Sequence, residues 1–437
     1  MDDETVPTFC GHRNRSFQYL VKWPTLFLVL AGVSGVLSAN PASAGPKYPG
    51  TFTADAKLKA LSKKVGAQAV PVVNTNGVLD PVLRKLKSKQ KVRFLQLGDS
   101  HIAADYITSM IRHRLQAKYG DGGRGLMHID QRWGFGGRKT KRKDGTWTQT
   151  RVVDKYGPGK PFGISGMSLV SKKKGAKVAY RVLPGDEVLR VYYQQRPKGA
   201  PVQVRFEGKE IARFETAGAA QSKVFELALP AQAGAPPKKK RGPAGWTLEL
   251  VAQAKGAQLF SIAFEKKGST GVIYESVGPV GADAKVYLQT GRDSFVQHLK
   301  AHAPDVVVLM VGGNDALKSR KKWTDLAQVK KDHEALLDLL KSTLPNTAVM
   351  IWSPMDAGDK KGKRVTSKPL LGEVRDLQKA VAAAKGAAFW DTLEAMGGVG
   401  AVKRWHAARV MNSDLVHPKK RAADLLGQLF ADALLAL

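Results

Sequence analysis

The chain has 437 residues, 43% of them hydrophobic, which excludes a disordered chain and leaves room for one large domain or two. Its 70 Lys and Arg against 37 Asp and Glu give a net charge of +33, a balance that attracts polyanions. Cys10 is the one cysteine, so an internal disulfide and a cysteine-rich zinc site are excluded.

The first 44 residues read as a targeting segment. His12, Arg13, Arg15 and Lys22 form a basic stretch, and an apolar run from Trp23 to Ala39 follows. Ala42-Ser43-Ala44 then offers the small residues a signal peptidase needs, so cleavage after Ala44 and a periplasmic or extracellular location are expected. The glycine- and proline-interrupted run is marginal for a membrane span, and membrane association is expected only if the segment stays attached. Asp2, Asp3 and Glu4 balance Arg13, Arg15 and Lys22, so cleavage leaves the net charge unchanged.

Short helices are expected at 54–64 and 79–87. Val92–Leu97 reads as a strand that ends at Gly98. A helix follows at once, because Ile102, Tyr106, Ile107, Met110, Ile111 and Leu115 recur at spacings of three and four, and Gly120 ends it. From about 130 to 275 the helical period disappears. Alternating runs at Val188–Tyr193, Val202–Phe206, Ile211–Phe214, Val224–Leu229, Trp246–Val251 and Leu259–Phe264 predict a β-sandwich, with 234–245 as a surface loop. After 285, Val306–Val311 is uninterrupted and apolar, as a parallel strand covered on both faces requires. A helix at 324–342, strand at 347–352, helix at 368–384, strand at 387–390 and helix at 418–436 complete an α/β rhythm. The expected organisation is a leader at 1–44, an α/β domain at 45–130 and 276–437, and an inserted β-domain at 131–275.

Four segments carry chemistry. Gly98-Asp99-Ser100-His101 sits where a strand ends and a helix opens, a turn that exposes a hydroxyl beside the helix's positive end. Alone it is also an ordinary serine N-cap. Gly312-Gly313-Asn314-Asp315 follows the strand at 306–311, and an asparagine amide there suits a developing oxyanion. Asp414 and His417 stand three apart, so that aspartate can orient a histidine general base. Val277–Ala282 returns the chain to the α/β domain, and a glycine there can bring its N–H close to substrate.

Other residues are weaker candidates. His298 and His302 have a zinc-compatible spacing but no evident third ligand, so surface histidines are favoured. His101 and Asp99 either line the site or pack at the helix start. Asp356 either points to the active edge of the sheet or serves its loop, while Trp133, Trp352 and Trp405 read better as core or rim than as sugar platforms. Lysine clusters at 139–143, 172–174, 238–241 and 360–364 are expected in loops, where they hold anionic envelope polymers loosely. No base-reading motif is present, so specific nucleic-acid binding is not expected.

Together the four segments resemble the blocks of the SGNH (GDSL) hydrolase superfamily. The stretch 98–126, VGPVGA, FWDTLEAMGG at 389–398 and DLVH resemble an exported bacterial subgroup that includes peptidoglycan and sugar O-acetylesterases. The resemblance implies a three-layer α/β/α flavodoxin-like fold with a parallel sheet, interrupted by a carbohydrate-binding-module-like β-sandwich. It implies Ser100 as nucleophile, His417 as base and Asp414 as its orienter, with the Ser100 and Gly281 N–H groups and the Asn314 amide as the oxyanion hole. Gly166, in a second block-like stretch at 163–168, is the alternative to Gly281. The implied reaction is acyl transfer from an acetylated glycan to water, with no metal or organic cofactor, by a protein expected to be a monomer. A sugar O-acetyltransferase and a non-catalytic envelope-binding protein are the competing readings.

Overall fold

Five strands lie parallel: β1 (Val92–Gly98), β2 (Val272–Val277), β3 (Val306–Met310), β4 (Ala348–Trp352) and β5 (Ala388–Trp390). This computed structural model describes residues 52–130, 141–142, 145–154, 157–232, 234–237, 244–268 and 270–437. The expected leader at 1–44, Trp133 and much of the lysine clusters at 139–143 and 238–241 lie outside them.

The order across the sheet is 2-1-3-4-5. The chain therefore leaves β1 toward one edge and returns to its other side, which makes the carboxyl ends of β1 and β3 the switch point where open sheets bind ligands. Strand alternation buries both faces. Phe94, Val308 and Met350 pack on one side, under the helices Tyr106–Tyr119 and Lys420–Leu435. Leu95, Leu309 and Ile351 pack on the other, under Arg292–His302, Leu326–Thr343 and Leu371–Ala384. The result is the three-layer α/β/α architecture expected.

The helix expected after Gly98 is broken in two. Ser100–Ala103 and Tyr106–Tyr119 are separated at Asp105, which takes a left-handed φ of +59°. The strain is offset by Arg112, whose two Nη groups hold the buried Asp105 carboxylate at 3.0 and 2.7 Å.

Two antiparallel sheets of six and five strands form the expected sandwich between β1 and β2. The six-stranded sheet begins earlier than residue 131, because Gly123–His128 pairs with Gln258–Glu265. Residue 275 falls inside β2. Sandwich and α/β layers share a core, since Val152, Phe162, Ile164 and Tyr192 pack in the same cluster as Leu95 and Phe295.

A buried polar network joins them as well. Arg93 on β1 donates to Glu275 on β2 (3.0 Å) and to Glu265 of the sandwich (2.9 Å). Glu275 also accepts from His302, whose Nδ1 lies 2.5 Å from the Tyr192 hydroxyl. His298 and His302 are thus interior groups, not the surface histidines expected, with exposures of 0% and 2%. Their helix is covered by the sandwich, which the local spacing does not reveal. Among the described residues, no group of three or more metal-ligating side chains is placed to hold a metal.

Candidate active site

Gly98 ends β1 because nothing larger fits: a Cβ there would stand 2.8 Å from the Met310 carbonyl oxygen and from Ile102. The chain turns, and Asp99 caps the short helix by accepting the His101 N–H at 2.9 Å. Ser100 is the first residue of that helix, so its own N–H has no intrahelical acceptor.

Ser100 Oγ lies 2.7 Å from His417 Nε2, and His417 Nδ1 lies 2.7 Å from Asp414 Oδ2. The turn between them depends on Leu415 at φ +56°. Asp414 Oδ1 accepts the N–H groups of Val416 (2.9 Å) and His417 (3.0 Å). Burial pushes the Asp414 carboxyl up, but these hydrogen bonds outweigh it and hold it below the ordinary carboxylate value. Leu415 O accepts from Gly358 N at 2.8 Å, which anchors the turn to the loop after β4.

Gly312, at φ +127°, turns the chain after β3, and Asn314 follows in the first turn of Gly313–Arg320. Its amide nitrogen donates to Asp99 Oδ2 at 3.1 Å and to the Ala282 carbonyl at 2.9 Å. Both amide hydrogens are thereby engaged in this state, a cost to any third role that the sequence does not disclose. The same bonds bring the segments at 98–101, 277–282 and 312–315 together. Gly281 has φ +89° with open space where a Cβ would stand. Gly166 has φ +65°, and a Cβ there would meet Pro279 Cγ at 2.7 Å, so it lets the sandwich close on the 277–282 segment.

A second hydrogen-bonded line runs behind the first. His101 Nδ1 lies 2.7 Å from Asp99 Oδ1, and His101 Nε2 lies 3.2 Å from the Val416 carbonyl. Burial opposes charge on His101, but the Asp99 carboxylate and the Val416 carbonyl outweigh it and raise its pKa. Asp99, which burial would raise, is held below its ordinary value by His101 and, further off, by His417. His101 therefore ties the Ser100 turn to the His417 turn, with the two imidazole centroids 5.2 Å apart.

The remaining candidates serve the fold. Asp356 is buried and accepts the Val402 N–H at 2.7 Å, at the start of Ala401–Ala407. Trp352 stacks on Phe430 and Trp405 donates to the Met396 carbonyl, both fully buried in the core. Two supports have no sequence signal. His128, on the first sandwich strand, accepts the Gly278 N–H at 3.2 Å. Gln378 donates to the Val311 carbonyl at 2.8 Å, beneath the Gly312 turn.

Residues 230–425 match the model of the GDSL-like lipase/acylhydrolase family. That span holds Gly281, Asn314, Asp414 and His417, and Ser100 lies before it. No curated protein matches the chain by sequence. Among solved structures the chain is similar to a peptidoglycan O-acetylesterase, with a TM-score of 0.68 and 22% identity, over 83% of this chain and 97% of that one. It is also similar to a Bacillus subtilis protein, YXIM (TM-score 0.33, 12% identity, 67% of this chain, 88% of the other). An acetyl xylan esterase is a further likeness (TM-score 0.29, 18% identity, 37% of this chain, 80% of the other).

Proposed function

We propose that this chain is an acyl-ester hydrolase of the SGNH (GDSL) superfamily and, within it, an exported O-acetylesterase. Its substrate in this reading is an acetylated carbohydrate of the cell envelope, peptidoglycan or exopolysaccharide. The observation that carries the reading is the continuous line from Ser100 Oγ to His417 to Asp414, 2.7 Å at each step. It stands at the switch point of a 2-1-3-4-5 sheet. The likeness to a peptidoglycan O-acetylesterase supports the choice of glycan. The leader-like first 44 residues support export.

In the proposed reaction His417 Nε2 takes the Ser100 proton as Oγ attacks the acetyl carbonyl carbon. The oxyanion is held by the Ser100 and Gly281 N–H groups, and by Asn314 sharing the hydrogen of its longer bond, to Asp99. His417 returns the proton to the departing sugar oxygen, leaving an acetyl ester on Ser100. Water, deprotonated by His417, attacks that ester and frees acetate. Asp414 keeps the His417 ring oriented throughout. The excess of Lys and Arg favours capture of anionic envelope polymers, with binding that weakens as salt rises.

The test is acetate release from O-acetylated peptidoglycan, acetylated xylan and a chromogenic acetate ester by residues 45–437 and by Ser100→Ala. Release that depends on Ser100 supports the esterase. No release from any ester overturns it, and release only when an acceptor sugar is supplied indicates a transferase.

A further inference from the structure

A cavity of about 330 Å³ lies between the sandwich and the segment that leads to Gly281. One wall is Ala103, Pro279 and Val280, and the other carries Gln149, Arg151 and Asp154. We propose that this crevice is the saccharide subsite of the esterase, and that Gln149 and the Arg151–Asp154 pair on the inserted sandwich recognise a neutral sugar ring of the acetylated glycan. The inference rests on the esterase reading and adds to it what the sandwich is for.

Position is the first argument. Ala103 closes the helical turn that Ser100 opens, so the crevice begins about one turn, roughly 5 Å, from the nucleophile. Val280 immediately precedes Gly281 and is 41% exposed. The close approach of Gly166 to Pro279 fixes the sandwich against this segment, so the far wall is built in place.

Chemistry is the second. Asp154 Oδ1 accepts from Arg151 Nε at 3.1 Å and Nη2 at 2.8 Å, and Asp154 Oδ2 accepts the Arg151 N–H at 2.7 Å. The guanidinium fork is thus held rigid while both side chains remain partly open to solvent, at 41% and 35%. A rigid donor fork beside a carboxylate matches neighbouring hydroxyls, which donate and accept together. Gln149 is an exposed amide whose contacts are weak, 3.4 Å to Met167 Sδ and 3.5 Å from Arg142. It is available to a ligand at little loss. Val280 and Pro279 supply an apolar surface for the C–H face of a ring.

Charge is the third, because it selects among ligands. Arg151 is neutralised by Asp154 within the crevice, and Asp130, a further lining carboxylate, is paired with Arg142 at 2.9 Å. Each of these lining carboxylates is thus matched by an arginine, a balance that suits an uncharged polyol.

The test compares the full chain with Arg151→Ala and Gln149→Ala. Each variant is expected to lower kcat/KM for O-acetylated peptidoglycan fragments, through KM, at least tenfold more than for a chromogenic acetate ester. Equal losses on the two substrates mean that the residues serve the fold, and overturn the proposal. Binding supplies a readout independent of turnover. Calorimetry of Ser100→Ala with the same fragments is expected to show saccharide binding that Ser100→Ala/Arg151→Ala weakens at least fivefold. Unchanged or undetectable binding overturns the subsite. Failure of every ester to react in the unmodified chain overturns the esterase reading instead, so the two failures are distinct.

Discussion

Replacing His101 by Gln tests whether the second hydrogen-bonded line supports the first. The substitution removes two donors from a site where the side chains are 9% and 3% exposed. One donates to the Asp99 carboxylate at 2.7 Å, and losing a bond to a charged group costs about 1.5–3 kcal/mol. The other donates to the Val416 carbonyl at 3.2 Å, about 0.5–1.5 kcal/mol. Glutamine recovers part of one bond but cannot span both partners, so we expect a net loss of about 2 kcal/mol in folding stability. What is released is also the tether on the residue before His417. If the base then samples other positions, kcat falls roughly 10–100-fold, at about 1.36 kcal/mol per tenfold.

The pH dependence separates this account from generic damage. His101 has a raised pKa in the folded chain against an ordinary value of 6.5, through Asp99 first and Asp414 further off, with burial opposing. A raised histidine contributes stability that is fully present below its unfolded value and is lost as pH rises through the folded value. The stability gap between the unmodified chain and His101→Gln should therefore be widest below pH 6.5 and narrow at alkaline pH. Urea unfolding in the two pH ranges measures the gap, and turnover of a chromogenic acetate ester measures kcat. A gap independent of pH, together with an unchanged kcat, refutes the latch.

Four further outcomes follow from the same geometry. Gly166→Ala places a Cβ 2.7 Å from Pro279 at a left-handed φ and should cost about 2–4 kcal/mol in urea unfolding. Gly281→Ala, with open space, should cost about 1–2 kcal/mol there, yet lower kcat by turning its N–H. Asn314→Ala should lower kcat for the acetate ester about 100–1000-fold with KM little changed, and a loss confined to stability would assign the amide to scaffolding. Glu275→Gln breaks the buried network and should cost about 3–5 kcal/mol in urea unfolding at pH 7. Against burial, His302 and Arg93 hold the Glu275 carboxyl down to about 2 from an ordinary 4.5. Its contribution is present above 4.5 and lost as pH falls toward about 2, so the gap to Glu275→Gln should shrink across that window.

What the sequence discloses follows how local the cause is. β1 and β3 are legible because an apolar run ending in glycine is its own signal, and the sandwich strands alternate plainly. The strand Gly123–His128 is not legible, because Gly123 and Gly125 interrupt the alternation that would mark it. The break at Asp105 is hidden too, since the apolar spacing runs through it and the compensating Arg112 is seven residues on. The candidate site residues are legible for the reason the strands are: each sits in a short turn whose glycines or capping residues announce it. Their supports are not. His302 shows a zinc-like spacing, yet its partners Glu275 and Tyr192 lie 27 and 110 residues away, and only the folded chain makes it an interior acceptor and donor.

The same distinction bears on specificity. In the proposed reaction the turns at 98–101, 312–315 and 414–417 provide acyl transfer, but nothing in them distinguishes one acetylated sugar from another. Discrimination needs donors and acceptors that meet the alcohol side of the ester, and hydroxyl recognition separates ligands far better than apolar fit does. On the wall opposite Pro279 those groups are Gln149, Arg151 and Asp154, which stand on the insertion rather than on the α/β sheet. In the proposed subsite, a crevice shared in this way would let the sandwich change its sugar contacts while the shared core and the Arg93–Glu275–His302 network hold it against the sheet. Exchanging Gln149 and Arg151 should therefore alter the preference between acetylated xylan and acetylated peptidoglycan while Ser100 remains essential on both. A variant that loses both substrates in equal measure would mean that the preference is set on the α/β side, by the segment at 278–281.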